Sequence, residues 1–150
     1  MSEHLASIHW EFTGGDFSQK EYSRDHLIRF PNGMEIQASS AAGYGGNPAN
    51  LDPEAAFTAS LSSCHMLTFL AVCAVKGFHV RSYEDHAVGF LDKNLEGRTC
   101  MTRVKLRPKV TFVGETPDSE QMSMLHERAH RACFISNSVK TQVEIEPRSE

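Results

Sequence analysis

The sequence lacks a run of about 20 apolar residues such as a membrane span requires. Its longest, Met66 to Val75, is shorter and is interrupted by Thr68 and Cys73. No cationic, apolar leader opens the chain, so a cytoplasmic address is expected, with no membrane partner. Basic residues are dispersed and the formal charge is −4, which leaves no electrostatic footprint for nucleic acid. The four cysteines contain no Cys-x-x-Cys pair, which argues against a disulfide framework or a structural metal site. In a reducing cytosol a disulfide would be catalytic rather than structural, so thiol chemistry becomes the question to ask. No internal repeat, low-complexity tract or long linker divides the 150 residues, and one domain, 1–150, is expected.

What the chain does have is a single commanding helix. Asp52 can accept from the free amides of a first turn, Pro53 suits the first helical position, and Gly77 suits a left-handed stop. Residues 53–76 would form a rod of about 36 Å. Its halves differ: Ala55, Ala56, Thr58, Ala59, Ser60, Ser62 and Ser63 permit close approach of another backbone, whereas Met66 to Val75 is apolar all round and is expected to be buried on every side. Cys64 lies at the junction.

Ahead of this helix, Ala6, Ile8, Trp10 and Phe12 alternate with polar residues, the period of a strand with one buried face. Thr13 to Asp25 is a polar loop that delivers Arg24. His26–Phe30 and Met34–Ala38 flank Pro31-Asn32-Gly33, a hairpin signal. The glycine-rich stretch Ser39–Leu51 leads into the helix and is expected to line the site. After Gly77, Val80–Leu91 predicts one strand and Cys100–Phe112 its hairpin partner, with Pro108 marking an edge or bulge. The stripe Arg103, Lys105, Arg107 and Lys109 is best taken as a solvated face. Thr116-Pro117-Asp118 starts a second helix, capped by the Thr116 hydroxyl with Pro117 first, that ends near Cys133. Val139 to Ile145 alternates as a last strand. The fold class is α+β, in the order βββ-α-ββ-α-β.

Cys64 sits mid-helix, where the macrodipole helps a thiolate little, so activating it needs a cation from elsewhere; Arg24 is the candidate by role. Cys133 stands at the negative end of its helix, which fits a thiol that acts second. Cys64 is therefore read as nucleophile and Cys133 as resolver. A cysteine on an apolar helix is also, ordinarily, a small buried hydrophobe, and Cys73 and Cys100 keep that reading. A Cys64/His65/His130/Cys133 metal site is conceivable but weakly signalled, because neighbouring helical positions point about 100° apart.

Asp52-Pro53-Glu54, the small-residue helix into Ser63-Cys64-His65, the segment His130-Arg131-Ala132-Cys133-Phe134-Ile135-Ser136-Asn137-Ser138-Val139 and the ending Val143-Glu144-Ile145-Glu146-Pro147 together resemble the OsmC/Ohr family of thiol-dependent peroxidases. His65 after the cysteine is similar to the OsmC branch, since the Ohr branch usually has an aromatic there. The resemblance implies an intertwined α+β homodimer with antiparallel sheets around the long central helix. It implies reduction of organic hydroperoxides, and of hydrogen peroxide in some members, with Cys64 peroxidatic and Cys133 resolving through a Cys64–Cys133 disulfide. An external thiol or dithiol resets the pair, without metal or organic cofactor. Glu54 matches the assisting glutamate, and Arg24 is assigned as the arginine, with Arg29 the alternative. The rival reading is a non-catalytic dimeric module holding a hydrophobic ligand or metal, its cysteines merely buried.

Overall fold

The computed structural model describes residues 1–18 and 21–148; of the loop expected over 13–25, Gln19 and Lys20 lie outside the described residues. The chain divides into two compact units, Met1–Ala56 and Phe57–Glu150.

In the N-terminal unit, strands β1 (Ser7–His9), β2 (His26–Arg29) and β3 (Glu35–Ala38) form an antiparallel sheet in that order. The expected turn closes it. Gly33 takes a φ of 84°, its amide bonds to the Phe30 carbonyl at 3.0 Å, and the Asn32 side chain accepts from the Met34 amide. β1 departs from expectation: it is three residues long, at the sheet edge, and exposed on both faces, with Ile8 at 64%. Alternation alone cannot tell a face buried within the chain from one left for another surface. The glycine-rich stretch contains a 3₁₀ turn, Ala42–Tyr44, and ends where Ala38 bridges Leu51.

Helix α1 runs Pro53–Lys76, with the bounds its sequence signals define. Asp52 Oδ1 accepts from the Ala55 amide at 2.7 Å, and Gly77 takes a φ of 81°. In the C-terminal unit this one helix serves two hydrophobic clusters. Leu61 packs with Val104 and Leu106 of the sheet β5 (Val88–Lys93), β6 (Thr99–Leu106) and β8 (Gln142–Ile145). Phe69 and Cys73 pack with Leu125 and Ala129 of α2 (Ser119–Ala132) and with side chains of the sheet β4 (His79–Asp85) and β7 (Pro108–Val113). At Gly89 of β5, a β-carbon would fall 2.3 Å from Thr58 Oγ1, so the small-residue half of α1 does meet a closely approaching backbone.

The two long strands expected between the helices are each broken in two, giving four. The breaks are set by Asp85. Its Oδ1 accepts from the Arg107 amide at 2.6 Å and its Oδ2 from the Ser62 hydroxyl. A side chain thus satisfies the backbone donor where the ribbon bends, and Pro108, which has none, opens β7 opposite Asp85. Beyond the bend the ribbon changes sheets: β4 pairs with β7, and β5 with β6. Pairing is antiparallel except between β6 and β8. β8 is also shorter than expected, beginning at Gln142 rather than Val139. α2 is capped by Asp118 rather than Thr116, since the Asp118 carboxylate accepts from Gln121 N while the Gln121 side chain returns the bond, a reciprocal pair that a lone hydroxyl cannot make.

The greasy half of α1 is not buried on every side. Its buried positions form one stripe, Leu61, His65, Phe69 and Cys73, while Leu67 and Val75 are 60% and 86% exposed. Two sheets and one helix cover a stripe, not a cylinder. The basic stripe on β6 is answered by β8: Lys105 pairs with Glu144 and Glu146, and Arg103 lies over the Phe90 ring at 4.4 Å.

Candidate active site

Cys64 and Cys133 come from different helices, 69 residues apart in sequence, and are brought together. Cys133 is the C-cap of α2 and only 1% exposed; Cys64 is partly exposed. Both are free thiols. Burial and a hydrogen bond with Cys64 push the Cys133 thiol up to about 11. Cys133 is thus held as a buried thiol beside the partly exposed Cys64.

The sequence placed Cys133 only at the negative end of its helix. The 3₁₀ turn that follows adds an opposing influence: the Ser136 amide donates to Cys133 Sγ at 3.4 Å, and the Ile135 amide also bonds to it. These donors pull the pKa down without overcoming burial. Cys73 differs. It sits among Phe69, Leu125 and Ala129, and burial alone pushes its thiol to about 11, as expected of a structural thiol.

Hydrophobic pattern missed a buried polar centre between α1 and α2. His65 lies on the buried stripe, 1% exposed, and its Nε2 is 3.1 Å from Nδ1 of His126, itself 4% exposed. The rings stack at 5.4 Å and 8°, and Phe69 stacks on His126 at 4.3 Å. Burial holds both imidazoles neutral: His65 falls to about 4, helped by His130 and opposed by Asp85, and His126 to about 4, helped by His65. Among the described residues, His65 Nδ1 and the buried Tyr83 hydroxyl have no hydrogen-bond partner. Two histidines 61 residues apart carry no local signal; only a buried polar position on an apolar stripe marks them. Among the described residues no three His, Cys, Asp or Glu side chains are grouped as metal ligands.

Arg24 and Glu54 belong to the N-terminal unit. Arg24 is half-buried, donates to the carbonyls of Tyr22 and Gly45 at 3.3 and 3.4 Å, and lies 4.5 Å over the Tyr22 ring. Gly45 is required there: its φ is 77°, and a β-carbon would come within 3.1 Å of the guanidinium. Arg29 instead pairs across the β2–β3 ladder with Glu35 at 2.5 Å, both half-exposed. Glu54 occupies the first turn of α1, where the helix dipole favours an acid.

The family profile described as OsmC-like protein matches residues 45–148. The chain belongs to the OsmC-like family. This OsmC-like protein is 45% identical to an OsmC-like protein of unknown function from Vibrio cholerae, over 99% of this chain and 100% of that one, with a TM-score of 0.94. An organic hydroperoxide resistance protein from Elizabethkingia anophelis, 21% identical, superposes with a TM-score of 0.72 over 98% and 94% of the two chains. The organic hydroperoxide resistance protein OhrB of Bacillus subtilis, 20% identical, does so at 0.67 over 96% and 98%. The two hydroperoxide resistance proteins share the fold with this chain. No curated protein matches the sequence.

Proposed function

We propose that this OsmC-like protein is a cysteine-based peroxidase that reduces organic hydroperoxides, with hydrogen peroxide as a second substrate. The observation that carries this reading is the pairing of a partly exposed Cys64 with a buried Cys133 at the end of α2, whose thiol burial pushes up. The family membership and the names of the hydroperoxide resistance proteins that share its fold support the same reading.

Cys64 attacks the distal peroxide oxygen as a thiolate, the O–O bond breaks, and the departing alkoxide takes a proton to leave as alcohol. Cys64 is now a sulfenic acid. Cys133 condenses with it to a disulfide and water, and an external thiol or dithiol in a reducing cytoplasm resets the pair. The redox equivalents pass through sulfur, so the cycle as proposed calls for no metal or organic cofactor. Arg24 is assigned by its role to hold the thiolate and orient the peroxide, and Glu54, on the motif match, to fix the guanidinium. A homodimer is part of the proposal: the exposed apolar positions Leu67 and Val75 on α1 and Ile8 on β1 are surfaces that a second copy would cover.

The test is single-turnover oxidation by one equivalent of an alkyl hydroperoxide, followed by intact-mass and thiol counting. The parent should lose two thiols per chain. Cys64→Ser should lose none, and Cys133→Ser should consume one equivalent and stop at the Cys64 sulfenic acid. A sulfenic or sulfinic adduct on Cys133 with Cys64 untouched would reverse the roles. Thiols that survive peroxide treatment in the parent would favour the binding-module reading.

A further inference from the structure

A guanidinium at the end of a long, flexible side chain can hold a reacting group in place only if something holds the guanidinium. Arg24 Nη1 donates to two carbonyls, that of Tyr22 at 3.3 Å and that of Gly45 at 3.4 Å, and its Cζ stands 4.5 Å above the Tyr22 ring. A β-carbon on Gly45 would lie 3.1, 3.3 and 3.7 Å from Nη1, Cζ and Nε. The turn is therefore in contact with the guanidinium, and only a bare α-carbon allows the approach. All of these groups belong to the N-terminal unit.

The turn is closed from within. The Gly45 and Gly46 amides donate to the carbonyls of Ala42 and Ala41 at 3.0 and 3.2 Å, and the Ser40 hydroxyl donates to the Tyr44 carbonyl at 3.3 Å. Gly46 passes so close to Ser40 that a β-carbon there would overlap the Ser40 carbonyl oxygen. The fully buried Ser39 accepts from the Asn47 amide at 3.0 Å, and Asn47 Nδ2 donates to Asp25 Oδ2 at 3.4 Å. The strand leading out of Arg24 is pinned as well. Trp10 Nε1 donates to the Ser23 carbonyl at 2.8 Å, and His26 Nδ1 to the Arg24 carbonyl at 2.9 Å. The backbone that carries Arg24 and the turn that faces its guanidinium are thus tied to each other, through Asp25 and Asn47 as well as through the guanidinium itself.

We propose, resting on the peroxidase reading and the role it gives Arg24, that the Gly45–Gly46 turn is a positioning element for peroxide reduction. The Gly45 carbonyl and the empty space at its α-carbon set where the guanidinium stands. Two fixed acceptors at Nη1 and a ring against one face stop the group from rotating, so its remaining donors keep one direction. Any side chain at position 45 enters the space of the guanidinium and displaces it by a few tenths of an ångström.

The experiment measures Cys64 oxidation in the full-length protein, by rapid mixing with one equivalent of alkyl hydroperoxide, alkylation at timed intervals and intact-mass readout. Gly45→Ala should slow this step roughly tenfold, since a misplacement of about 1 Å can cost on the order of 100-fold. Gly33→Ala imposes the same left-handed strain in the same unit, at a φ of 84° and with nothing within 4 Å of the added carbon. It should lower the melting temperature comparably and keep the parental rate. The decisive arm is a double-mutant cycle. Arg24→Ala should slow oxidation on the order of 100-fold, as for a lost charge-stabilising donor, and adding Gly45→Ala to it should change nothing further, because the group that the methyl displaces is gone. Asn47→Ala cuts the tie to Asp25 without adding an atom to the turn, and serves if Gly45→Ala folds poorly; it should slow oxidation a few-fold, again only with Arg24 present. Gly45→Ala at the parental rate, or turn variants that slow oxidation equally with and without Arg24, would overturn the inference. Arg24→Ala at the parental rate would overturn the role given to Arg24 and the inference with it, leaving the thiol chemistry intact. A parent that forms no Cys64 sulfenic acid would overturn the peroxidase reading itself.

Discussion

Acidifying the protein from pH 7 to pH 5 should destabilise it through His65 and His126, and the size of the loss follows from their burial. Each is neutral in the native state with a pKa near 4, against 6.5 for an unperturbed histidine. Between those values the unfolded chain binds protons that the native state refuses, so stability rises with pH there and is lost as pH falls. At pH 5 the loss is about 2 kcal/mol per histidine, approaching about 3 kcal/mol below pH 4. The two do not add in full, since part of the His126 shift is repulsion from His65. Against a typical total of about 5–15 kcal/mol this is a large fraction. The window is specific: Glu84 and Glu146, held low by hydrogen bonds to His86 and Lys105 respectively, add acid sensitivity only as pH falls into and below the ordinary carboxylate range. Urea unfolding at pH 7, 6 and 5, at fixed protein concentration, measures the loss. His126→Gln keeps a partner for His65 Nε2 and removes one titration, so its pH dependence should be about half the parent's. Stability that stays flat from pH 6.5 to 5, or a variant with the full parental dependence, would refute the argument that these imidazoles are held neutral by burial.

Cys73→Ala should keep turnover within a few-fold of the parent and cost about 1 kcal/mol through lost contacts in the Phe69–Leu125–Ala129 cluster, with Cys100→Ala costing no more. Loss of turnover at an unchanged melting temperature in either would mean a different reactive pair. Glu54 and Cys64 stand ten residues apart on one helix, hence about 15 Å along its axis and roughly 80° around it. They cannot both touch one small peroxide from the same helix, so each is expected to serve with the other from a second copy. Mixing Glu54→Ala and Cys64→Ser chains should then restore about a quarter of parental activity by random pairing, in which half the dimers carry one working site. Heterodimers seen by native mass spectrometry but without activity would confine both residues to one chain.

Local signals carried α1 completely, because Asp52, Pro53 and Gly77 act on their own neighbours through hydrogen bonding and backbone dihedral angles. They carried the N-terminal hairpin for the same reason. The strand breaks were not legible, since Asp85 fixes them by reaching Arg107, 22 residues away. The exposure of Leu67 and Val75 was hidden because an all-apolar run does not say whose atoms will cover it. At the candidate site, helix position gave Cys64 and Cys133 different expected roles, but neither the meeting of the two cysteines nor the His65–His126 pair leaves a trace in local pattern. Both depend on where α2 lies against α1.

Asp85 has a consequence that reaches past the strand break it makes. One carboxylate accepts from the backbone of the bend and from Ser62 on the helix above it, two residues before Cys64. The curvature of the ribbon and the rotational setting of α1 are therefore tied to one fastener and cannot drift independently. A substitution that frees the ribbon to straighten also frees the helix to turn about its axis, changing the direction in which the Cys64 sulfur is presented. The Arg107 amide, remote from both sulfurs in sequence, is thus a place where hydrogen exchange would register a loosening of the thiol pair.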